Sequence, residues 1–161
     1  MAVEAEVLNE LRRLRTRMPQ LTGALAASAD GLVLAQDMPR SEPEGLAALT
    51  AAALGVGRRM TDLAAGGGFR ELLVRGAGGY VATYAAGPTA VLTLLADDRV
   101  NVGRLHLEGR RSGTRIAELM TGRFPADRPF LADGPPPPPV ERGRTLGALP
   151  IRIPPQSRHG F

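Results

Sequence analysis

Three short apolar runs follow one another between Phe69 and Ala96, and nothing but turns fits between them. The first is Phe69 to Arg75. The second, Gly79 to Ala86, comes after a Gly-rich turn at Gly76–Gly79. The third, Ala90 to Ala96, comes after Gly87-Pro88. A parallel crossover needs about a dozen residues or more, so the runs can pair only as hairpins. The spacing predicts an antiparallel meander. Three strands cannot shield an apolar face alone, so helices on either side of the stretch must cover it.

Val3, Val7, Leu11, Leu14 and Met18 recur at helical spacing, predicting a helix over 3–18 that Pro19 ends. Its glutamates (Glu4, Glu6, Glu10) precede its arginines (Arg12, Arg13, Arg15, Arg17), an order that suits the helix dipole. That arginine run has two readings, a solvated face with favourable charge order, which ranks first, and a phosphate-binding face. Two strands follow, over 21–28 and 32–36, joined by the hairpin signal Asp30-Gly31. Ser41 and Glu44 form a capping-box pattern that opens a helix over 43–63. Its expected sheet-facing side is Leu46, Leu49, Ala53, Met60 and Leu63, with Thr50 and Gly57 at the edge. Small residues crowd its centre, and two internal glycines each cost about 1 kcal/mol against alanine. That cost favours a helix approached closely by a partner. Asn101 is the expected N-cap of a last helix over 102–121, and Gly109 and Gly113 within it flag another close approach. His106 flanks its apolar stripe with no second histidine near it.

After Thr121 the periodicity stops. Prolines, including the run Pro135–Pro139, predict an extended or disordered tail over 121–161, leaving a folded domain over 1–120. Leu149 to Ile153 is the tail's one apolar patch. The fold class expected is α+β, an α/β sandwich in which a five-stranded antiparallel sheet carries helices on both faces. The element order is α-β-β-α-β-β-β-α.

Charge and composition exclude several functions. All 20 basic side chains are arginines and there is no cysteine. Thiolate chemistry and any step needing a lysine ammonium are therefore out. The Gly66–Gly68 run lacks the Gly-Lys-Ser/Thr ending of a phosphate loop. Residues 1–120 carry 14 arginines against 13 carboxylates, and 121–161 carry 6 against 3. The folded part thus lacks the concentrated basic face of a nucleic-acid binder, and with two tyrosines and no tryptophan it is poor in stacking groups. No Ser/His/Asp set, carboxylate pair or metal cluster is legible, so no catalytic residue, cofactor or metal is expected. No apolar run is long enough for a membrane span, and the acidic start lacks a signal peptide's basic region. The expected compartment is the cytoplasm.

The element order, Asp30-Gly31 with Leu32-Val-Leu34, Phe69 to Val74, Gly78-Gly79-Tyr80, and Ala90 to Leu95 together resemble the roadblock/LC7 family, most closely its small actinobacterial members. The resemblance covers about residues 3–120. It implies a non-enzymatic module that pairs as a homodimer or heterodimer, the homodimer being the expectation here, joining sheets edge to edge and packing its central helices together. On this chain the seam would be helix 43–63 and strand 69–75, with Ala48, Ala51, Ala52, Gly55, Phe69, Glu71 and Leu73 in it. The resemblance further implies a regulatory or scaffold role with a small Ras-like GTPase, and a sensor-kinase-like protein encoded nearby. Arg40, Arg75 and Arg99 are loop-region or strand-end arginines that could reach a partner's site, none singled out by the sequence, and a plain surface charge ranks first for each. The alternative is a ligand-sensing module of profilin-like shape, with a small molecule between sheet and helices. A nucleic-acid-binding protein ranks below it.

Overall fold

The computed structural model describes residues 2–39, 42–64 and 66–121. Their elements run α1 (Ala2–Arg17), β1 (Leu21–Ser28), β2 (Val33–Asp37), α2 (Pro43–Ala64), β3 (Glu71–Gly76), β4 (Gly79–Ala86), β5 (Ala90–Asp97) and α3 (Val102–Thr121). The order is the one that the short spacings and helical stripes imply. The strands form one antiparallel sheet in the order β2-β1-β5-β4-β3. The capping box at Ser41 and the tail lie outside the described residues.

Two apolar layers hold the sheet. On one face, Val7, Leu11 and Leu14 of α1 and Leu105, Ile116 and Met120 of α3 pack with Tyr84, Leu92 and Leu94. On the other, Leu54 and Ala47 of α2 pack with Leu25, Val91 and Met38. β5 is buried on both faces because it lies mid-sheet with a helical layer on each side, so its run Val91–Leu95 shows no polar alternation.

Local chemistry fixes the joints. Ser28 N–H donates to Leu32 O at 2.8 Å, closing the β1–β2 hairpin around Ala29, Asp30 and Gly31. Gly31 sits there at φ +85°, the left-handed position that this three-residue loop needs. Asn101 Oδ1 accepts the Arg104 amide at 2.9 Å, the expected cap of α3. Gly109 lies under the Tyr84 ring, closer than 3.0 Å to where a Cβ would stand, so α3 seats on the sheet because Gly109 has no side chain.

α1 and α3 are also clasped by a polar network. Arg17 Nε donates to Glu108 Oε2 at 2.9 Å and its NH2 to Glu10 Oε1 at 3.2 Å. Ser112, fully buried, donates its hydroxyl to Glu10 Oε1 at 2.7 Å. Two carboxylates share one guanidinium between helices far apart in sequence, which periodicity cannot reveal.

Two expectations are corrected. β3 begins at Glu71, and Phe69 precedes it. The Phe69 ring has turned onto Gly57, where it fills the space a side chain would occupy, and so leaves the strand's alternation. The sheet-facing side of α2 is Ala47, Thr50, Leu54 and Gly57, with Leu46 packed against the same layer, while Leu49, Met60 and Leu63 of the expected face are exposed. Small residues let the helix axis approach the sheet, so these three larger side chains point away.

Candidate interaction surface

α2 carries two apolar stripes. The inner one repeats at i, i+3, i+7, i+10 from Ala47 to Gly57. The outer one is Leu49, Val56, Met60 and Leu63, exposed by 69, 60, 62 and 72 % respectively. Leu49, Val56 and Leu63 stand seven residues apart, the repeat of a helix that meets another helix. Four large apolar side chains on one helix face are far more than scattered surface leucines, and such a patch marks an interaction site.

Beside this helix the sheet ends. β3 pairs with β4 alone, so its outer amides and carbonyls find no strand among the described residues. Exposed edges of this kind are templates for pairing with another chain. Val74, on the strand's exposed end, is 52 % exposed. The open edge and the outward stripe of α2 are two features of the same molecule that a partner could use.

The expected seam residues distribute unevenly over the two. Ala52 and Gly55 are exposed on α2, and a Cβ on Gly55 would meet nothing within 4 Å. Ala48 is exposed, yet its backbone abuts the hairpin tip at Gly31. Ala51 is half-buried. Phe69 is turned inward on Gly57. Glu71 and Leu73 belong to the edge strand, but Leu73 packs into the α1/α3 layer and Glu71 points to α3. Leu49, Val56, Met60 and Leu63 were misassigned or unnoticed in the sequence. The seven-residue spacing of Leu49, Val56 and Leu63 was the signal that could have found them.

Glu71 has its own environment. Arg110 grips it with two hydrogen bonds, Nε to Oε2 at 2.7 Å and NH2 to Oε1. His106 Nδ1 lies 3.6 Å from Glu71 Oε1 and 3.2 Å from the Tyr84 hydroxyl. The Arg110 bonds hold the Glu71 carboxyl below the usual value of 4.5, against the opposing effect of burial. Burial, followed by the Glu71 charge, pushes the Tyr84 phenol above its ordinary range. A depressed carboxylate stabilises the fold above its unfolded pKa, and that contribution is lost as pH falls through the native pKa. Lowering the pH from about 5 to about 3 should therefore drop the thermal midpoint more steeply in the wild type than in Glu71→Gln. Parallel pH profiles for the two proteins would refute this.

The surface offers little for small-molecule chemistry. Among the described residues no group of three or more His, Cys, Asp or Glu could hold a metal. Open depressions of about 560 and 270 Å³ lie on the outer side of α1 and between α1 and α3, rather than between the sheet and α2. The guanidinium of Arg75 lies 5.6 Å from the centroid of the Tyr80 ring, Arg99 is exposed, and Arg40 lies outside the described residues. No helix among the described residues is long and apolar enough to cross a membrane.

An antiparallel sheet with β3 as an edge strand, and a helix that turns large apolar side chains outward, is suited to protein interaction. Residues 7–96 match the roadblock/LC7 domain, and the chain belongs to that family. As a member of a family of non-catalytic modules it is a non-enzymatic protein. Solved structures share the fold. "MglB with tetrameric arrangement" is 22 % identical with a TM-score of 0.71, covering 77 % of this chain and 94 % of that one. The gliding protein MglB of Thermus thermophilus is 23 % identical with a TM-score of 0.67, covering 74 and 91 %. A roadblock/LC7 domain from Streptomyces avermitilis is 22 % identical with a TM-score of 0.66, covering 71 and 97 %. No curated protein sequence matches the chain.

Proposed function

We propose that the protein is a homodimeric regulator or scaffold for a small Ras-like GTPase in a cytoplasmic signalling complex. The observation that carries this reading is the outward stripe Leu49, Val56, Met60 and Leu63 beside the open edge of β3. A second copy, related by a two-fold axis, would lay stripe on stripe and edge on edge. Covering such side chains is worth on the order of 1–2 kcal/mol each before the costs of association are subtracted. The family resemblance supplies the GTPase and, in the actinobacterial members, the neighbouring sensor-kinase-like protein. The partnership is tested by gel filtration of the full chain with Ras-like GTPases loaded with GDP or with a non-hydrolysable GTP analogue. Nucleotide-dependent co-elution supports it. Separate elution in both nucleotide states, at concentrations of tens of micromolar, rejects it.

Regulation in this reading acts through the partner's nucleotide site. The protein itself should bind no GTP, since the chain has no lysine to reach the β/γ-phosphates and no phosphate loop. Titration calorimetry with GTP and magnesium should give no binding heat. Saturable micromolar binding by the pure protein would overturn the expectation.

The working unit in this proposal is residues 1–120, with 121–161 as an appended tail. Truncation after residue 123 should leave the thermal midpoint and the far-UV spectrum unchanged. A large loss of either would place the tail within the folded unit.

A further inference from the structure

The outer face of α1 is a second surface, on the opposite side of the sheet from α2. Asn9, Arg12, Arg13, Thr16 and Arg17 line an open depression of about 560 Å³ there. These positions fall at i, i+3, i+4, i+7 and i+8, one stripe about 12 Å long on a helix. Every one of the five side chains carries a hydrogen-bond donor, three are guanidinium groups, and none is a carboxylate.

Two of the nearest carboxylates, Glu10 and Glu108, are turned inward, while Glu6 is exposed beside Asn9 and Arg13 at the α3-facing edge of the stripe. Glu10 Oε1 is held by Ser112 at 2.7 Å and by Arg17 at 3.2 Å. Glu108, 8 % exposed, takes Arg17 at 2.9 Å and Arg111 at 3.5 Å. That clasp ties Arg17 to α3 and fixes its guanidinium at one end of the depression. Arg12 and Arg13 are exposed and pair with no carboxylate among the described residues. The result is a pair of uncompensated guanidinium groups, Arg12 and Arg13, beside an Arg17 whose charge is met by Glu10 and Glu108.

We infer that this face docks an acidic segment of a protein partner. Charge complementarity carries the inference. Guanidinium forks match carboxylates in geometry, and a 12 Å row suits about four residues of extended chain. The lining presents only the aliphatic stems of arginine and threonine's methyl group, with no large apolar side chain to insert into a lipid surface. It has no aromatic ring on which a nucleic-acid base could stack. The chain's own tail carries 6 arginines against 3 carboxylates and cannot serve as the occupant by charge. The face stays open whichever seam forms at α2 and β3, so the inference stands independently of the proposed dimer.

The test is an anisotropy titration of the full chain against a dye-labelled peptide of eight glutamates at low ionic strength. Arg12→Glu/Arg13→Glu should weaken binding by about tenfold or more, and binding should fade as salt is added. A charge-matched tail control, Arg142→Glu/Arg144→Glu, should change it by less than about twofold on the same electrostatic reasoning. Both variants should keep the wild-type thermal midpoint, because Arg12 and Arg13 are exposed. Should the reversal disturb the fold, Arg12→Gln/Arg13→Gln decides on the same contrast, with a loss of about threefold expected. Equal losses in the α1 and tail variants would overturn the inference, as would no saturable binding up to about millimolar peptide. So would tighter binding to phosphatidylserine vesicles or to single-stranded RNA than to the peptide.

Discussion

Gly109→Leu is expected to destabilise the domain by about 3 kcal/mol and lower its thermal midpoint by about 10 °C. A Cβ at this position would stand closer than 3.0 Å to three atoms of the Tyr84 ring. That ring has no room to retreat. It is 1 % exposed, sits at the centre of the α1/α3 layer, and its hydroxyl lies 3.2 Å from His106 Nδ1. A leucine must then either tilt α3 off the sheet or push Tyr84 out of its rotamer, and an overpacked core costs free energy either way. Gly109→Ala should do less harm, because alanine recovers about 1 kcal/mol of helix propensity. Because Arg110 leaves the same turn of α3 to hold Glu71 on β3, a tilt of α3 also loosens the edge strand. Differential scanning calorimetry reads the outcome. A leucine variant melting with the wild type would mean that the close seat of α3 is not what Gly109 serves.

The element order was legible because each element leaves a local mark. Asp30-Gly31 marks a hairpin, Asn101 caps a helix, and the gaps at Gly76–Gly79 and Gly87-Pro88 are too short for a crossover. Gly109 and Gly113 correctly announced a close approach, and Gly57 proved to make one with Phe69. The orientation of α2 was not legible from the size of its side chains. Periodicity assigns the larger apolar residues to the core, but here the core takes Ala47, Thr50 and Gly57 with Leu54. A helix apolar on two sides gives no single moment direction, and only the sheet decides which stripe turns in. Phe69 failed for a related reason. Its place two residues before Glu71 fits strand alternation, while its ring answers to the gap at Gly57. The Arg17, Glu10, Glu108 and Ser112 clasp and the Arg110–Glu71 pair join residues that only the fold brings together. Sequence alone shows those residues as surface charges.

Ala52→Glu is expected to convert a dimer to a folded monomer. Ala52 is exposed on α2, between Leu49 and Val56 in sequence, so a glutamate there can extend into solvent in the single chain. Glutamate is a good helix former, and the helix itself should persist. In a two-fold seam the same change buries two unpaired carboxylates between apolar side chains. Burying a charge without a partner costs several kcal/mol, so the dissociation constant should rise by on the order of a hundredfold or more. The far-UV spectrum should stay that of the wild type. A variant that unfolded would instead mark Ala52 as part of the chain's own core.

Sedimentation equilibrium of the wild-type chain across micromolar concentrations tests the homodimer. The wild type should show the mass of two chains and Ala52→Glu the mass of one under the same conditions. A wild-type mass of one chain throughout that range would contradict the homodimer and leave the α2 and β3 face to a different partner.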